Sequence, residues 1–128
     1  MAIIGLYAGL LGLIYLTLSF RVVSLRRKHG IGLGDGGNAD LQQVIRAHAN
    51  FSEYVPICLI LLSLLASIPV NLLALHVAGG VLVISRALHA LGLTQESGRS
   101  FGRYWGTVLT WSLLLILSIA NIILFIAF

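Results

Sequence analysis

Four long apolar runs dominate the chain, and three short connections separate them. The runs cover about 2–24, 41–67, 70–91 and 102–128. Each is near the roughly 20 residues that a helix needs to cross a bilayer. None alternates apolar with polar positions as a membrane-facing strand does. The pattern predicts an all-α fold, an integral membrane bundle of four transmembrane helices that forms a single domain over residues 1–128.

Composition supports a membrane location, because 59% of the residues are hydrophobic and only 9% are charged. A soluble domain of this length needs many more charged residues to cover its surface. We do not interpret the first run as a cleaved secretory signal, since no basic residue precedes it and no clear small-residue cleavage site follows it. Beyond Phe20 the sequence instead continues into the basic residues Arg21, Arg26, Arg27 and Lys28, as it does at the end of a permanent transmembrane helix.

Basic residues are confined to one side of the predicted bundle. All eight Lys and Arg residues lie in or beside the connections 26–40 and 92–103, or in the helix ends that face them. The 67–71 turn and both termini carry none. The positive-inside rule therefore predicts that the two basic connections are cytoplasmic and that both termini lie outside. Because these flanks carry the net charge of +4, that charge does not indicate a nucleic-acid partner.

The segment "RAHANFSEYVP", residues 46–56, brings polar side chains into the second apolar run. On a helix, Arg46, Asn50, Glu53 and Tyr54 share one face about 100° wide. Ionisable groups at membrane depth normally face a bundle interior or a watery cavity and find partners there. Two interpretations stay open at this point. Either Arg46 and Glu53 neutralise each other or neighbouring helices as a structural link, or the four side chains form a ligand site.

The other predicted helices bring basic groups to the same membrane level. Arg86 and His89 are three residues apart, so they are neighbours on one helix face. Arg99 and Arg103 lie at the start of the fourth run. Several guanidinium groups with a carboxylate, an amide and a phenol suit a small anion that also carries an ammonium group, because arginine holds carboxylates in a bidentate manner. No catalytic triad or carboxylate pair indicates hydrolysis.

Metal and disulfide chemistry find no support in the sequence. Cys58 is the single cysteine, so no intramolecular disulfide is expected. His48, which lies off the polar face of the second helix, and His89 lack further acidic or histidine ligands at useful spacing, so no metal site is expected. Tyr104 and Trp105 are interpreted first as aromatic anchors at the membrane interface.

The same residues resemble a known family. "RAHANFSEYVP" before an apolar run, "RR" at the close of the first helix and four spans in this length resemble the MAPEG family, membrane-associated proteins in eicosanoid and glutathione metabolism. The "LGDGGN" loop is similar to the bacterial branch of that family. The resemblance covers essentially the whole chain. It implies a homotrimer in a bacterial inner membrane, with glutathione bound between neighbouring subunits near the cytoplasmic side and no metal.

The resemblance also implies roles for single residues. Glu53 would take the ammonium group of glutathione and Arg46 its carboxylate. Arg99 would stabilise the glutathione thiolate, with Arg103 as the second choice. His89 stands where leukotriene-synthesising members have tyrosine, which weakens any claim to eicosanoid chemistry. The full set of positions that would bind glutathione is Arg26, Arg46, Asn50, Glu53, Tyr54, Arg86 and His89.

The function implied by the resemblance is a glutathione-dependent membrane transferase or peroxidase. An adjacent cation shifts a thiol toward its nucleophilic thiolate, which can attack an electrophilic carbon or a peroxide oxygen in a lipophilic substrate. The alternative is a non-catalytic protein of the same fold that binds lipid or serves as a scaffold. A small transporter or channel is a third possibility, but no second, inverted set of polar residues supports it. The expected partners are a second and third copy of the chain, glutathione, a hydrophobic small molecule or lipid, and the surrounding membrane lipids.

Overall fold

The four predicted membrane helices are present in the computed structural model. The structure describes residues 2–95 and 100–127, and for residues 93–95 it describes the backbone alone. The helices are α1 (Ala2–His29), α2 (Ala39–Leu65), α3 (Leu72–Gln95) and α4 (Phe101–Ala127). Each is long and apolar enough to cross a membrane. A lipid environment favours this architecture because each helix satisfies its own backbone hydrogen bonds. The fold class predicted from the sequence, an all-α membrane bundle of four helices, is confirmed.

The helices α2 and α3 form the centre of the bundle. They pack against each other, while α1 and α4 each pack against both of them. Fully or nearly fully buried apolar side chains fill the interior, among them Leu11 of α1, Cys58 of α2, Leu82 of α3 and Leu117 of α4. Large apolar side chains cover the outside of the bundle, as a surface facing lipid requires.

The first helix is longer than its apolar run. It continues through Arg26 to His29 and ends in a Schellman motif, in which Gly30 adopts a φ of 65° and the amides of Gly30 and Ile31 bond to the carbonyls of Arg27 and Arg26. The helix thus extends about five residues beyond the apolar run that the sequence shows. Apolar composition marks where a helix leaves the hydrocarbon. The backbone remains helical beyond that point until a residue such as Gly30 ends the helix.

In the first and third connections, a side chain caps the helix that follows. Asn38 accepts the amide of Leu41 through its side-chain oxygen at 2.9 Å, which begins α2. Ser100 accepts the amide of Arg103 at 3.2 Å and donates to the carbonyl of Gly92 at 3.0 Å. Ser100 therefore caps α4 and at the same time fastens its start to α3.

Glycine brings the backbones of α3 and α4 into direct contact. A Cβ atom at Gly102 would lie 2.6 Å from the carbonyl oxygen of Leu88, and one at Gly106 would lie 2.7 Å from both the amide nitrogen of His89 and the carbonyl oxygen of Ser85. Small residues allow this close approach of membrane helices, which lack a hydrophobic driving force toward each other. The approach sets the distance between the polar side chains of α3 and α4.

Candidate functional site

Arg86 lies at the centre of the bundle and gathers polar groups from three helices. Its side chain is only 1% exposed. The Nη2 atom donates to Oδ1 of Asn50 at 2.6 Å and lies 3.3 Å from Nδ1 of His89. The Nη1 atom donates to the hydroxyl of Thr110 at 3.3 Å. We call Asn50, Ser85, Arg86, His89 and Thr110 the Arg86 cluster.

The hydroxyl groups of the cluster extend the network between α3 and α4. Thr110 is fully buried, and its hydroxyl lies 3.1 Å from the hydroxyl of Ser85 and 2.7 Å from the carbonyl of Gly106. Ser85 in turn donates to the carbonyl of Leu82 at 2.9 Å. Because a buried polar group without a partner is costly in a membrane, these bonds fix where the guanidinium of Arg86 can sit.

Two aromatic rings lie against the guanidinium, and one of its N–H donors is unpaired among the described residues. The rings of Phe51 and Tyr54 each lie with their centres 5.8 Å from Cζ of Arg86, within the range of a cation–π interaction. The Nε atom of Arg86 is buried and has no hydrogen-bond partner among the described residues. Among the described residues, the side chains that receive hydrogen bonds from Arg86 are those of Asn50, His89 and Thr110, and none of them is a carboxylate.

The polar face predicted for α2 divides into two parts. Asn50 and Tyr54 are half-buried and turn toward Arg86, whereas Arg46 and Glu53 are exposed. Neither of the exposed pair makes a hydrogen bond or salt bridge with another described residue, so the structural link that would join Arg46 to Glu53 within one chain is not formed. The exposed pair lies beside the cluster and extends the polar surface of α2 outward.

His48 belongs to a different contact, as its position off the polar face predicted. Its Nε2 lies 3.1 Å from the hydroxyl of Ser19, and its ring lies 4.7 Å from the ring of Tyr15. Both partners are on α1. His48 therefore joins α1 to α2 at the level of the cluster and is not among the groups around Arg86.

The arginines predicted at the helix ends have different surroundings. Arg26 donates from Nη1 to the carbonyl oxygens of Gly34, at 2.8 Å, and Ile31, at 3.4 Å, so it closes the loop that follows α1. Arg99 lies outside the described residues. Arg103 stands in the first turn of α4 and lines a groove with His89.

That groove has a volume of about 800 Å³ and opens along the first three turns of α4. Its lining combines the polar groups of His89 and Arg103 with the aromatic rings of Tyr104, Trp105 and Trp111. All three rings are also exposed on the surface. Tyr104 and Trp105, interpreted from the sequence as interfacial anchors, thus also form a wall of the groove that reaches the Arg86 cluster at His89.

Sequence reasoning missed the two hydroxyl groups of the cluster. Ser85 and Thr110 are single small polar residues in apolar runs, and nothing in their own identity distinguishes them from ordinary helix contacts. A signal was present in the spacing Gly102-x3-Gly106-x3-Thr110, which is a row of small residues on one helix face. That row predicts close packing of α4 and identifies Thr110 as part of the contact.

The arrangement suits anion binding better than metal binding. Among the described residues, no group of three or more His, Cys, Asp or Glu side chains gathers where it could hold a metal ion. Guanidinium donors, an imidazole and an amide lie together, with an aromatic groove beside them. Such a site can hold an anion and bring it next to an apolar compound.

Comparisons with known proteins agree with this architecture. The sequence matches the model of the MAPEG family over residues 4–123. It is 36% identical to the inner membrane protein YecN of Escherichia coli strain K12 over 118 residues, which are 92% of this chain and 88% of that protein. YecN of Escherichia coli O6:H1 strain CFT073 shows the same identity and coverage.

Proposed function

The chain belongs to the MAPEG family, and on that premise we propose that it is a glutathione-dependent membrane transferase or peroxidase. In this proposal the basic end of the bundle binds glutathione and stabilises its thiolate. The thiolate then attacks a hydrophobic electrophile or a lipid peroxide that enters from the bilayer. The similarity to an inner membrane protein supports an inner-membrane location for this chain. The Lys and Arg residues in and beside the connections 26–40 and 92–103 support the placement of these connections on the cytoplasmic side.

The observation that carries the proposal is the charge of Arg86. This guanidinium is 1% exposed, bonds only to neutral side chains and keeps an unpartnered Nε donor among the described residues. A buried cation without a hydrogen-bonded counter-ion is unfavourable. An anionic ligand offsets this cost by supplying both the missing charge and an acceptor, and glutathione carries two carboxylates and an ionisable thiol.

The remaining contacts of glutathione are assigned from the exposed part of the α2 face. Glu53 takes the ammonium group and Arg46 a carboxylate, while Asn50, Tyr54 and His89 orient the peptide around Arg86. Arg46 and Glu53 are exposed in the single chain, which supports a site completed by a neighbouring subunit. We therefore include the homotrimer in the proposal, with Arg26 contributing at the helix end.

Thiolate stabilisation is assigned to an arginine at the start of α4. Arg99 is the first candidate from the family pattern and lies outside the described residues. Arg103 is the second and lines the aromatic groove together with His89. A guanidinium near the sulfur favours the thiolate over the thiol. In the transferase reaction the sulfur–carbon bond forms and the bond from carbon to its leaving group breaks, with the electron pair departing on the leaving group. In the peroxidase reaction the sulfur bonds to one peroxide oxygen and the O–O bond breaks, so that the other oxygen leaves with the electron pair and is protonated to the alcohol. A second glutathione then displaces hydroxide from the resulting sulfenic acid and forms the disulfide.

The proposal is tested with purified full-length protein in detergent. Glutathione binding is measured by calorimetry, thiolate formation by ultraviolet absorbance, and turnover with an aryl halide as the electrophile. We expect Glu53→Gln to weaken glutathione binding and Arg99→Ala or Arg103→Ala chiefly to reduce the thiolate signal. Gln42→Ala, which alters an exposed polar residue earlier on α2, serves as the control. Absence of both binding and conjugation in the wild type would exclude the enzyme and leave the fold unaffected.

A non-catalytic lipid-binding role is favoured by a second groove. Between α1 and α2 lies an apolar cavity of about 250 Å³, lined among others by Leu11, Tyr15, Phe51 and Leu59. It could hold part of a lipid without any contribution from Arg86. Under this alternative, a fluorescent fatty acid binds the wild type and Arg86→Lys equally and glutathione does not compete. Conjugation of the aryl halide to glutathione by the wild type, with no retention of the fatty acid, supports the transferase instead.

A further inference from the structure

A third groove lies between α1 and α3, away from the Arg86 cluster. It has a volume of about 200 Å³, and its walls are Ile14, Thr17 and Leu18 on α1 and the small residues Ala87 and Ala90 on α3. Among the described residues that line it, the guanidinium of Arg21 is the one charged group, at the end of the groove nearest the basic side of the bundle. The groove is therefore apolar along most of its length and cationic at one end.

The part of α1 that precedes Arg21 is about as long as the hydrocarbon core of a bilayer is thick, which favours a place for Arg21 near the headgroups. Arg21 stands 19 residues after Ala2, which is about 29 Å along a helix at 1.5 Å per residue. The hydrocarbon core of a bilayer is about 30 Å thick. From Arg21 back to Ile14 the groove runs about 10 Å into the apolar part of the membrane, parallel to α1. An acyl chain lies in this direction below its phosphate.

The charge of Arg21 is available to a ligand. Its side chain is exposed and makes no hydrogen bond or salt bridge to another described residue. Lys28, seven residues later, lies on the same face of α1, about 10 Å nearer the solvent. Arg27 points about 120° away from that face. Two cations thus stand one above the other over the apolar groove, and none of the described residues that line it is acidic.

From this juxtaposition we propose that the groove between α1 and α3 is a binding site for an anionic phospholipid. The phosphate contacts Arg21, one acyl chain occupies the groove between α1 and α3, and the outer part of the headgroup faces Lys28. A zwitterionic lipid fits less well because its terminal ammonium group meets the positive charge of Lys28. This site does not depend on glutathione and is separate from the function proposed above.

The test is native mass spectrometry of the full-length protein in a neutral detergent. Phosphatidylglycerol and phosphatidylcholine with identical acyl chains are titrated separately. Wild type and Arg27→Ala, which loses the same charge from another face, are expected to retain phosphatidylglycerol in preference to phosphatidylcholine. Arg21→Ala is expected to bind phosphatidylglycerol about fivefold more weakly, the factor that corresponds to ~1 kcal/mol per basic residue near a membrane surface. The affinity of Arg21→Lys for phosphatidylglycerol should lie between that of the wild type and that of Arg21→Ala.

A second variant tests the apolar part of the site. Ala87→Leu fills the groove without changing any charge and should also reduce phosphatidylglycerol retention, whereas glycerol phosphate without acyl chains should not bind. Equal retention by Arg21→Ala and Arg27→Ala, or no preference over phosphatidylcholine, would overturn the proposal. So would cross-linking of an Ala87→Cys variant between copies in phosphatidylglycerol vesicles, because the groove would then be occupied by another subunit.

Discussion

The side-chain oxygen of Asn50 lies 2.6 Å from Nη2 of Arg86, so an amide on α2 accepts a hydrogen bond from the buried guanidinium on α3. A carboxylate at this distance would neutralise the guanidinium and leave it little affinity for an anion. The amide holds Arg86 in place and preserves its charge. The identity of residue 50 therefore decides whether the same geometry forms a structural link or an anion site.

Asn50→Asp is expected to separate these two roles. The new carboxylate should keep or raise the thermal stability, because it forms a charge-assisted hydrogen bond with Arg86. Glutathione affinity should fall at least about tenfold, a change of roughly 1.4 kcal/mol, since the ligand must then compete with an internal anion. Thermal stability and glutathione affinity are both measured by calorimetry in detergent. Gln42→Glu adds the same charge at an exposed position on α2 and should leave affinity unchanged. Undiminished binding in Asn50→Asp would contradict the anion site.

Thr110→Val tests the hydroxyl that supports Arg86 from α4. Valine has nearly the same shape, but it cannot accept the hydrogen bond from Nη1 or bond to Ser85. We expect a loss of about 1–2 kcal/mol of stability and weaker glutathione binding, whereas Thr110→Ser should retain most of both. Thr17→Val is the control, since that hydroxyl bonds only to Leu13 in its own helix. Equal behaviour of the valine and serine variants would show that the methyl group, not the hydroxyl, matters at position 110.

The membrane class and the number of helices were predictable because long apolar runs and charge asymmetry are properties of the sequence itself. The division of the α2 polar face was not. Helical spacing places Arg46, Asn50 and Glu53 together, but only the position of α3 turns Asn50 inward and leaves the other two exposed. Thr110 was missed for the same reason, because its partner is 24 residues away on another helix.

Gly106→Ala is expected to separate α3 from α4. The added methyl group would lie 2.7 Å from backbone atoms of Ser85 and His89, which cannot rotate away as a side chain can. Overpacking of this kind costs about 1–3 kcal/mol. Thermal unfolding in detergent should show the loss, while Gly80→Ala, which meets no atom within 4 Å, should not. Unchanged unfolding of Gly106→Ala would mean that the helices are less closely packed than described.

Tyr7→Phe tests the contact that joins α1 to α3 at the opposite end of the bundle. The phenol oxygen of Tyr7 lies 2.9 Å from Nδ1 and 3.0 Å from the carbonyl oxygen of His76. Removal of the Tyr7 hydroxyl should lower the free energy of unfolding by about 0.5–1 kcal/mol, as for other hydrogen bonds between membrane helices. Tyr15→Phe retains the stacking on His48 and is expected to have no effect. A larger loss in Tyr15→Phe than in Tyr7→Phe would reverse this assignment.

The backbone contact between α3 and α4 has a mechanical consequence for the aromatic groove. Gly102 and Gly106 bring the backbones of the two helices into contact, so we expect α3 and the first turns of α4 to move together. The backbones that carry His89 and Arg103, which line the groove from these two helices, are therefore expected to keep a nearly constant separation when a compound enters. Differences in the size of that compound must be absorbed by rotation of the exposed rings of Tyr104, Trp105 and Trp111. Selectivity in this region should accordingly change with the aromatic side chains, and hardly at all with helix movement.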